Sequence, residues 1–296
     1  MRYIIHSFYL CFFLSISLSA EVLTIPHHQQ TLNASLTLAP HKTLNDGVIL
    51  MTHGTLGSRQ MEIMQTLQML LAEKGLNSLA INLSYGIDNR PAQLFDCQTI
   101  HRHYHTDAID EIDAWVQWLS TQGVKQIVLL GHSRGANQTA WYATEHDSDR
   151  IKAIVLIAPM LWVSEKVASY YQANYTVALT DVLARANHEK ELSAVGFLHC
   201  HNATVTADSF RAYYADDPRF HTPTLMARLT KPALLITGSA DTTTEGIEQE
   251  IIPLLETKKL QQLRIEGADH FFRDLYAEDM AEGIAQFLQP LLDKAN

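Results

Sequence analysis

Beyond its first twenty residues, this 296-residue sequence has no long hydrophobic run. Every later apolar stretch is shorter than ten residues or is interrupted by charge, and a bilayer crossing takes about 20 residues. It also lacks a long basic run: 22 basic against 32 acidic side chains leave a net charge of −10, which argues against nucleic acid as a partner. No internal repeat or low-complexity segment is present. Cysteine is scarce, with three in the chain. Charged residues make up 18% and hydrophobic ones 47%, which excludes a disordered or collagen-like chain. The acidic excess bears on solubility and says little about substrate.

The first twenty residues stand apart. Met1 and Arg2 lead into Ile4–Leu18, an apolar and aromatic stretch without an acid. The small residues of Ser17-Leu18-Ser19-Ala20 follow, and Glu21 is the first acidic residue. The pattern predicts a secretory signal peptide over residues 1–20 and an exported, periplasmic or secreted, protein; an uncleaved N-terminal anchor is the alternative. Cys11 would leave with the signal. Cys97 and Cys200 would remain, and in an exported protein two cysteines suggest one disulfide.

From residue 45 onward, short apolar runs alternate with amphipathic stretches. Strands are predicted at Val48–Thr52, Ser78–Leu83, Ile127–Leu130, Ile151–Ala158, Ala233–Thr237 and Leu260–Ile265. Helices are predicted at Gln60–Lys74, Thr106–Leu119, Gly135–Thr144, Thr244–Leu255 and Phe271–Leu292, with Gly75 ending the first. Continuous apolar strands separated by helices imply an α/β fold whose sheet is covered on both faces. Glu21–Ile25 and Leu32–Leu38 alternate like antiparallel strands, so the expected sheet is mixed and has about eight strands. Residues 160–230 break the rhythm. They are rich in Tyr, His and Asn, read mainly as helices and loops, and are expected to form a lid over the carboxyl ends of the strands, where such sheets bind ligands.

Gly131-His132-Ser133-Arg134-Gly135 follows one strand and precedes a helix. G-x-S-x-G in that setting is a sharp elbow that exposes a serine hydroxyl at the sheet edge, with glycines where a Cβ would collide. A serine needs a base, and the base needs an orienting acid. Asp241 falls on the loop after the strand Ala233–Thr237, and His270 on the loop after Leu260–Ile265. Ser133 is therefore the expected nucleophile, His270 the general base and then acid, and Asp241 the orienter. An oxyanion needs donors. The backbone N–H of Arg134 is one; Thr55, on the loop after Val48–Thr52, is the other, with Leu56 the alternative by one position.

These segments, in this order, resemble the α/β-hydrolase superfamily over about residues 45–292. The resemblance implies an α/β-hydrolase fold: a mostly parallel eight-stranded sheet with helices on both faces and a helical lid insertion. It also implies the Ser-Asp-His triad, without fixing a substrate. Asp269 before His270 departs from the family pattern, where a small residue is frequent. The expected activity is that of a serine hydrolase on a carboxylic ester or related acyl bond of a small molecule, with no metal or organic cofactor. Thioesterase and peptidase chemistry stay open, as does a catalytically silent binding protein.

Two features remain. The Arg134 side chain is expected either to bind an anionic substrate group or to sit in a salt bridge behind the elbow. His101, His103 and His105 alternate, Cys97 precedes them, and His199-Cys200-His201 lies in the lid. Zinc ligation is conceivable from these residue types, but no recognised metal spacing is present. A Cys97–Cys200 disulfide is preferred, and the three histidines are then expected to line or rim the site mouth or to lie on the surface.

Overall fold

The computed structural model describes residues 20–257 and 259–292. The expected signal segment lies outside the described residues apart from Ala20. In chain order the elements begin with β1 (Glu21–His27), β2 (Gln30–Thr37), β3 (Val48–Thr52), α1 (Glu62–Glu73), β4 (Ser78–Asn82), α2 (Asp107–Thr121), β5 (Ile127–His132), α3 (Arg134–Glu145) and β6 (Ile151–Ile157). An insertion follows: α4 (Ser164–Tyr175), α5 (Leu179–Ala186), β7 (Glu191–Phe197), β8 (Cys200–Thr206), α6 (Ala207–Tyr214) and α7 (Thr222–Met226). The fold closes with β9 (Ala233–Gly238), α8 (Ile247–Leu255), β10 (Leu260–Ile265) and α9 (Leu275–Leu292).

Eight strands form one sheet in the order β1-β2-β4-β3-β5-β6-β9-β10. β2 runs antiparallel to both β1 and β4, and the other neighbours are parallel. The pleat divides the apolar runs between two cores. Ile49 and Met51 of β3, with Val128 and Leu130 of β5, meet Ile63, Met64, Leu67 and Leu71 of α1 and Met280, Ile284 and Leu288 of α9. Val48, Leu50 and Leu129 point the other way, into a core with Ile112 and Trp115 of α2 and Trp141 of α3. Strands buried on both faces must read as continuous hydrophobic runs, as these do.

α1 buries Ile63, Met64, Leu67 and Leu71 and stops where Gly75 takes a left-handed φ of 77°, the conformation glycine adopts most cheaply. α9 begins four residues later than periodicity suggested. The Asp269 carboxylate accepts the Phe271 and Phe272 N–H groups at 2.9 and 3.1 Å, and Phe272 and Asp274 are left-handed. Asp269, the departure from the family pattern, thus organises the turn that follows His270.

The insertion between β6 and β9 is helical as expected but also contains an antiparallel hairpin, β7–β8. The mainly helix-and-loop reading of this segment is corrected on that point. Register shifts between Leu192, Val195 and Phe197 break the two-residue alternation that would have announced the strand. Cys97 and Cys200 are joined as a disulfide, which ties the start of β8 to the loop after β4. The same loop adds one parallel bridge, His101 against Val205.

Candidate active site

Ser133 sits between β5 and α3 with φ 57° and ψ −123°, a conformation L-residues adopt only when their surroundings enforce it. The flanking glycines show what does so. A Cβ on Gly131 would lie 2.4 Å from the Gly135 carbonyl oxygen, and one on Gly135 would lie 2.3 Å from the His53 carbonyl oxygen. The turn therefore closes only with glycine at both places. The Ser133 N–H donates to the Ile157 carbonyl at 2.9 Å, which fixes the elbow to β6.

Asp241 and His270 occupy the loops at the carboxyl ends of the neighbouring strands β9 and β10. The loops are bound to each other: the Ala240 N–H donates to the Ala268 carbonyl at 2.9 Å, and the Gly267 N–H to Ser239 Oγ at 2.7 Å. Three residues far apart in sequence then form one line. Ser133 Oγ lies 2.9 Å from His270 Nε2, and His270 Nδ1 lies 2.8 Å from Asp241 Oδ2. The Asp241 side chain is 1% exposed and that of His270 10%. Burial alone would push the Asp241 carboxyl up. The hydrogen bond and charge of His270, with donors from Thr244 and Thr243, more than offset this and hold it below the ordinary range. An ionised Asp241 accepting from Nδ1–H leaves the Nε2 lone pair facing the serine hydroxyl.

Residues 47–194 match a family model described as the alpha/beta hydrolase fold. The chain belongs to the α/β-hydrolase fold family. Comparison with curated proteins by sequence gives no match. Among solved structures, Est1E from Butyrivibrio proteoclasticus is 19% identical with a TM-score of 0.68, covering 92% of this chain and 99% of that one; Est1E has also been solved with ferulic acid bound. The esterase Pf2001 from Pyrococcus furiosus is 16% identical with a TM-score of 0.63, covering 93% and 92%. The esterase domain of a Rhodothermus marinus protein is 16% identical with a TM-score of 0.59, covering 93% and 100%. At these identities the likeness is one of fold.

In this α/β-hydrolase the loop after β3 packs directly on the elbow. A Cβ on Gly54 would fall 3.2 Å from Ser133 Cβ, and Thr55 Oγ1 accepts from Arg134 Nε at 3.1 Å. Thr55 and Arg134, the two expected oxyanion donors, are thus neighbours. As the first residue of α3, Arg134 has an N–H with no partner inside its helix. Leu56, the alternative donor, has a left-handed φ of 51°. The loop is held from behind by groups that sequence reasoning missed. His53 Nδ1 donates to the Gly54 carbonyl at 2.9 Å, and His53 Nε2 accepts the Leu83 N–H at 3.1 Å. Burial, then the nearby Arg90 charge, pulls the His53 imidazole down to about 3, so it is neutral. The buried Arg90 donates to the Leu83, Gln93 and Gly57 carbonyls and to Asn82 Oδ1, at 2.6 to 2.9 Å. Such a clamp joins distant segments and has no local sequence signal. His132, inside the elbow, donates from Nε2 to the His270 carbonyl at 2.9 Å and so positions the His270 backbone.

The alternating histidines are corrected. His101, His103 and His105 do not lie on the surface: all three are buried, and His105 reaches the elbow, where its Nδ1 lies 3.2 Å from Arg134 Nη1. The hairpin and the disulfide cover this strand-like segment, so its apolar neighbours Phe95, Phe197 and Tyr213 pack against the rings. His101 Nδ1 lies 3.1 Å from His103 Nε2, His103 Nδ1 lies 2.7 Å from the Tyr213 hydroxyl, and His105 Nε2 donates to Asn137 Oδ1 at 3.0 Å. Among the described residues no group of three or more His, Cys, Asp or Glu converges to hold a metal ion, and no helix is long and apolar enough to cross a membrane. The salt bridge proposed for Arg134 is also corrected: among the described residues its side-chain partners are Thr55 and His105, with no carboxylate.

Proposed function

We propose that this chain is a serine hydrolase that cleaves a carboxylic ester through an acyl-enzyme. The observation that carries the reading is the hydrogen-bonded line Asp241–His270–Ser133 at the carboxyl ends of the sheet. Ser133 Oγ attacks the ester carbonyl while His270 Nε2 takes its proton. Asp241 holds Nδ1–H and stabilises the imidazolium. The negative charge on the carbonyl oxygen is met by the N–H groups of Thr55 and Arg134. His270 then gives its proton to the departing alkoxide. A water, deprotonated by the same nitrogen, attacks the acyl-serine and releases the acid. Apart from the ester and one water, these steps use only residues of the chain. The fold likeness to proteins named as esterases supports ester over amide bonds as the substrate.

Hydrolysis of a p-nitrophenyl ester series, from acetate to long acyl chains, tests this. Turnover is expected in the wild type and is expected to vanish in Ser133→Ala, with a fluorophosphonate probe labelling only the former. A folded wild type that neither labels nor turns over any ester would overturn the reading. Labelling without ester turnover would move it to thioester or peptide bonds. We further read residues 1–20 as a cleaved export signal. The Cys97–Cys200 bond supports this, since disulfides persist in oxidising compartments. An intact-mass measurement beginning at residue 21 is the expected result for exported protein.

A further inference from the structure

Two arginines lie near the elbow, and they are used differently. Arg90 is surrounded by oxygen acceptors, four of them within 2.9 Å, which take four of its five N–H groups. Arg134, the residue after the nucleophile, has fewer partners among the described residues. Its Nε–H goes to Thr55 Oγ1, and one Nη1–H goes to His105 Nδ1 at 3.2 Å. One face of the guanidinium lies over the Tyr213 ring, 5.3 Å from its centroid. A guanidinium has five N–H groups, so three of these meet no acceptor among the described residues. The groups around it give no counter-charge. Tyr85, Tyr213 and Tyr214 are kept neutral by burial, and burial likewise holds His105 uncharged. Arg134 is half-buried, and its free N–H groups are not among the sealed, unpartnered polar atoms of the core, so an anion can reach them; elsewhere the fold supplies its own carboxylate, as Asp217 does for Arg219.

We propose that Arg134 is a specificity-determining residue whose free N–H groups bind a carboxylate of the substrate, so that the preferred substrate carries a free acid within a few bonds of its scissile ester. The planar fork suits a carboxylate, which can accept two parallel hydrogen bonds from it. The Thr55 and His105 bonds and the Tyr213 ring hold the fork in one orientation beside the loop that carries Thr55. The inference rests on the serine-esterase reading above and narrows its substrate class.

The test compares matched pairs of esters. The mono-p-nitrophenyl esters of succinate, glutarate and adipate are paired with neutral p-nitrophenyl butyrate, pentanoate and hexanoate; acetoxybenzoate is paired with its methyl ester to place the acid on the leaving group. The readout is the kcat/KM ratio within a pair, in wild type and in Arg134→Gln and Arg134→Lys. Any general damage from losing the Thr55 contact affects both members and cancels. In at least one pair the anionic ester is expected to be favoured by the wild type. That ratio should fall by about 10- to 100-fold in Arg134→Gln, the usual range for a hydrogen-bonded charged group, with Arg134→Lys between. Ratios equal in wild type and Arg134→Gln across all pairs, with turnover intact, would overturn the proposal. Absence of turnover and of probe labelling would instead sink the esterase reading. The anion site is then judged on Ser133→Ala protein by calorimetry with monomethyl adipate, whose binding should be lost on adding Arg134→Gln.

Discussion

Replacing Gly135 by alanine makes a demand that the fold cannot meet locally. The added Cβ would lie 2.3 Å from the His53 carbonyl oxygen and 2.6 Å from that of Thr52, against an ordinary contact of 3.4 to 4 Å. Both obstacles are backbone, so no side chain can rotate away, and α3 must part from the end of β3 by about 1 Å. Overpacking of this kind costs about 1–3 kcal/mol, a fall in melting temperature of about 2–10 °C for a chain of this size. The catalytic effect should be larger. The movement separates the Thr55 loop from the elbow, and a misplacement of about 1 Å can cost about 10²-fold in rate. Gly75→Ala is the control. Its φ of 77° makes it strained, but nothing lies within 4 Å of the new Cβ, and the site is remote. Melting curves and p-nitrophenyl ester kinetics per folded molecule would be measured for both. Both variants should lose stability, and Gly135→Ala alone should lose kcat. If Gly135→Ala keeps kcat within threefold, or if Gly75→Ala loses as much, the argument from close approach is wrong.

Other expectations follow from the same geometry. Asp241→Asn removes the acceptor that fixes the His270 tautomer, and kcat should drop by about 10³- to 10⁴-fold with KM little changed; a loss under tenfold would mean that another group orients the base. Cys97 and Cys200 are 103 residues apart in sequence, so loop-closure entropy sets an upper value of about 4.7 kcal/mol for the bond. Urea denaturation of the Cys97→Ala/Cys200→Ala protein should show a loss of at least about 2 kcal/mol, and an unchanged midpoint would refute it. Glu111 is buried beneath Ser84, whose hydroxyl and N–H it accepts at 2.6 and 2.9 Å, and burial pushes its carboxyl up from 4.5 to about 7. The folded protein therefore holds a proton there that the unfolded chain has released, and stability falls as pH rises from about 4.5 to about 7, by about 3 kcal/mol. Glu111→Gln lacks this slope. Its melting temperature should gain on the wild type between pH 5 and pH 8, and a constant difference would show that Glu111 is ionised throughout.

The parts of this molecule that could be read from sequence are those whose cause is local. Val48–Thr52 coincides with β3 because a strand buried on both faces reads as one apolar run, and Leu260–Ile265 coincides with the edge strand β10, whose ends Leu260 and Ile265 are buried while Gln261 and Arg264 are exposed. The elbow was legible because its glycines and its serine are set by one turn. The loops of Asp241 and His270 are legible because each follows a strand that the sequence itself predicts. What failed to show was tertiary. Arg90 reaches across to Gly57 and Asn82, and His132 to His270, through contacts that leave no periodicity. The hairpin β7–β8 was hidden by its own bulges. Whether the alternating histidines face solvent depends on the hairpin packed over them, so their burial is not legible in sequence. The role of the Arg134 side chain is not legible in sequence because a salt bridge is a property of the assembled neighbourhood.

The Cys97–Cys200 bond also partitions the backbone. The covalent ring it closes contains Ser133, whereas Asp241 and His270 lie outside it. A single cut within the ring, for instance in the largely exposed α4, leaves both pieces one molecule for as long as the sulfurs stay joined, with Ser133 still tethered to His270. A cut just beyond Cys200, around α6 or α7, severs Ser133 from His270 at once and leaves only the interleaved sheet to hold them. The insertion above the site thus has a proteolytically forgiving half and an unforgiving half, and the boundary between them falls at the cystine.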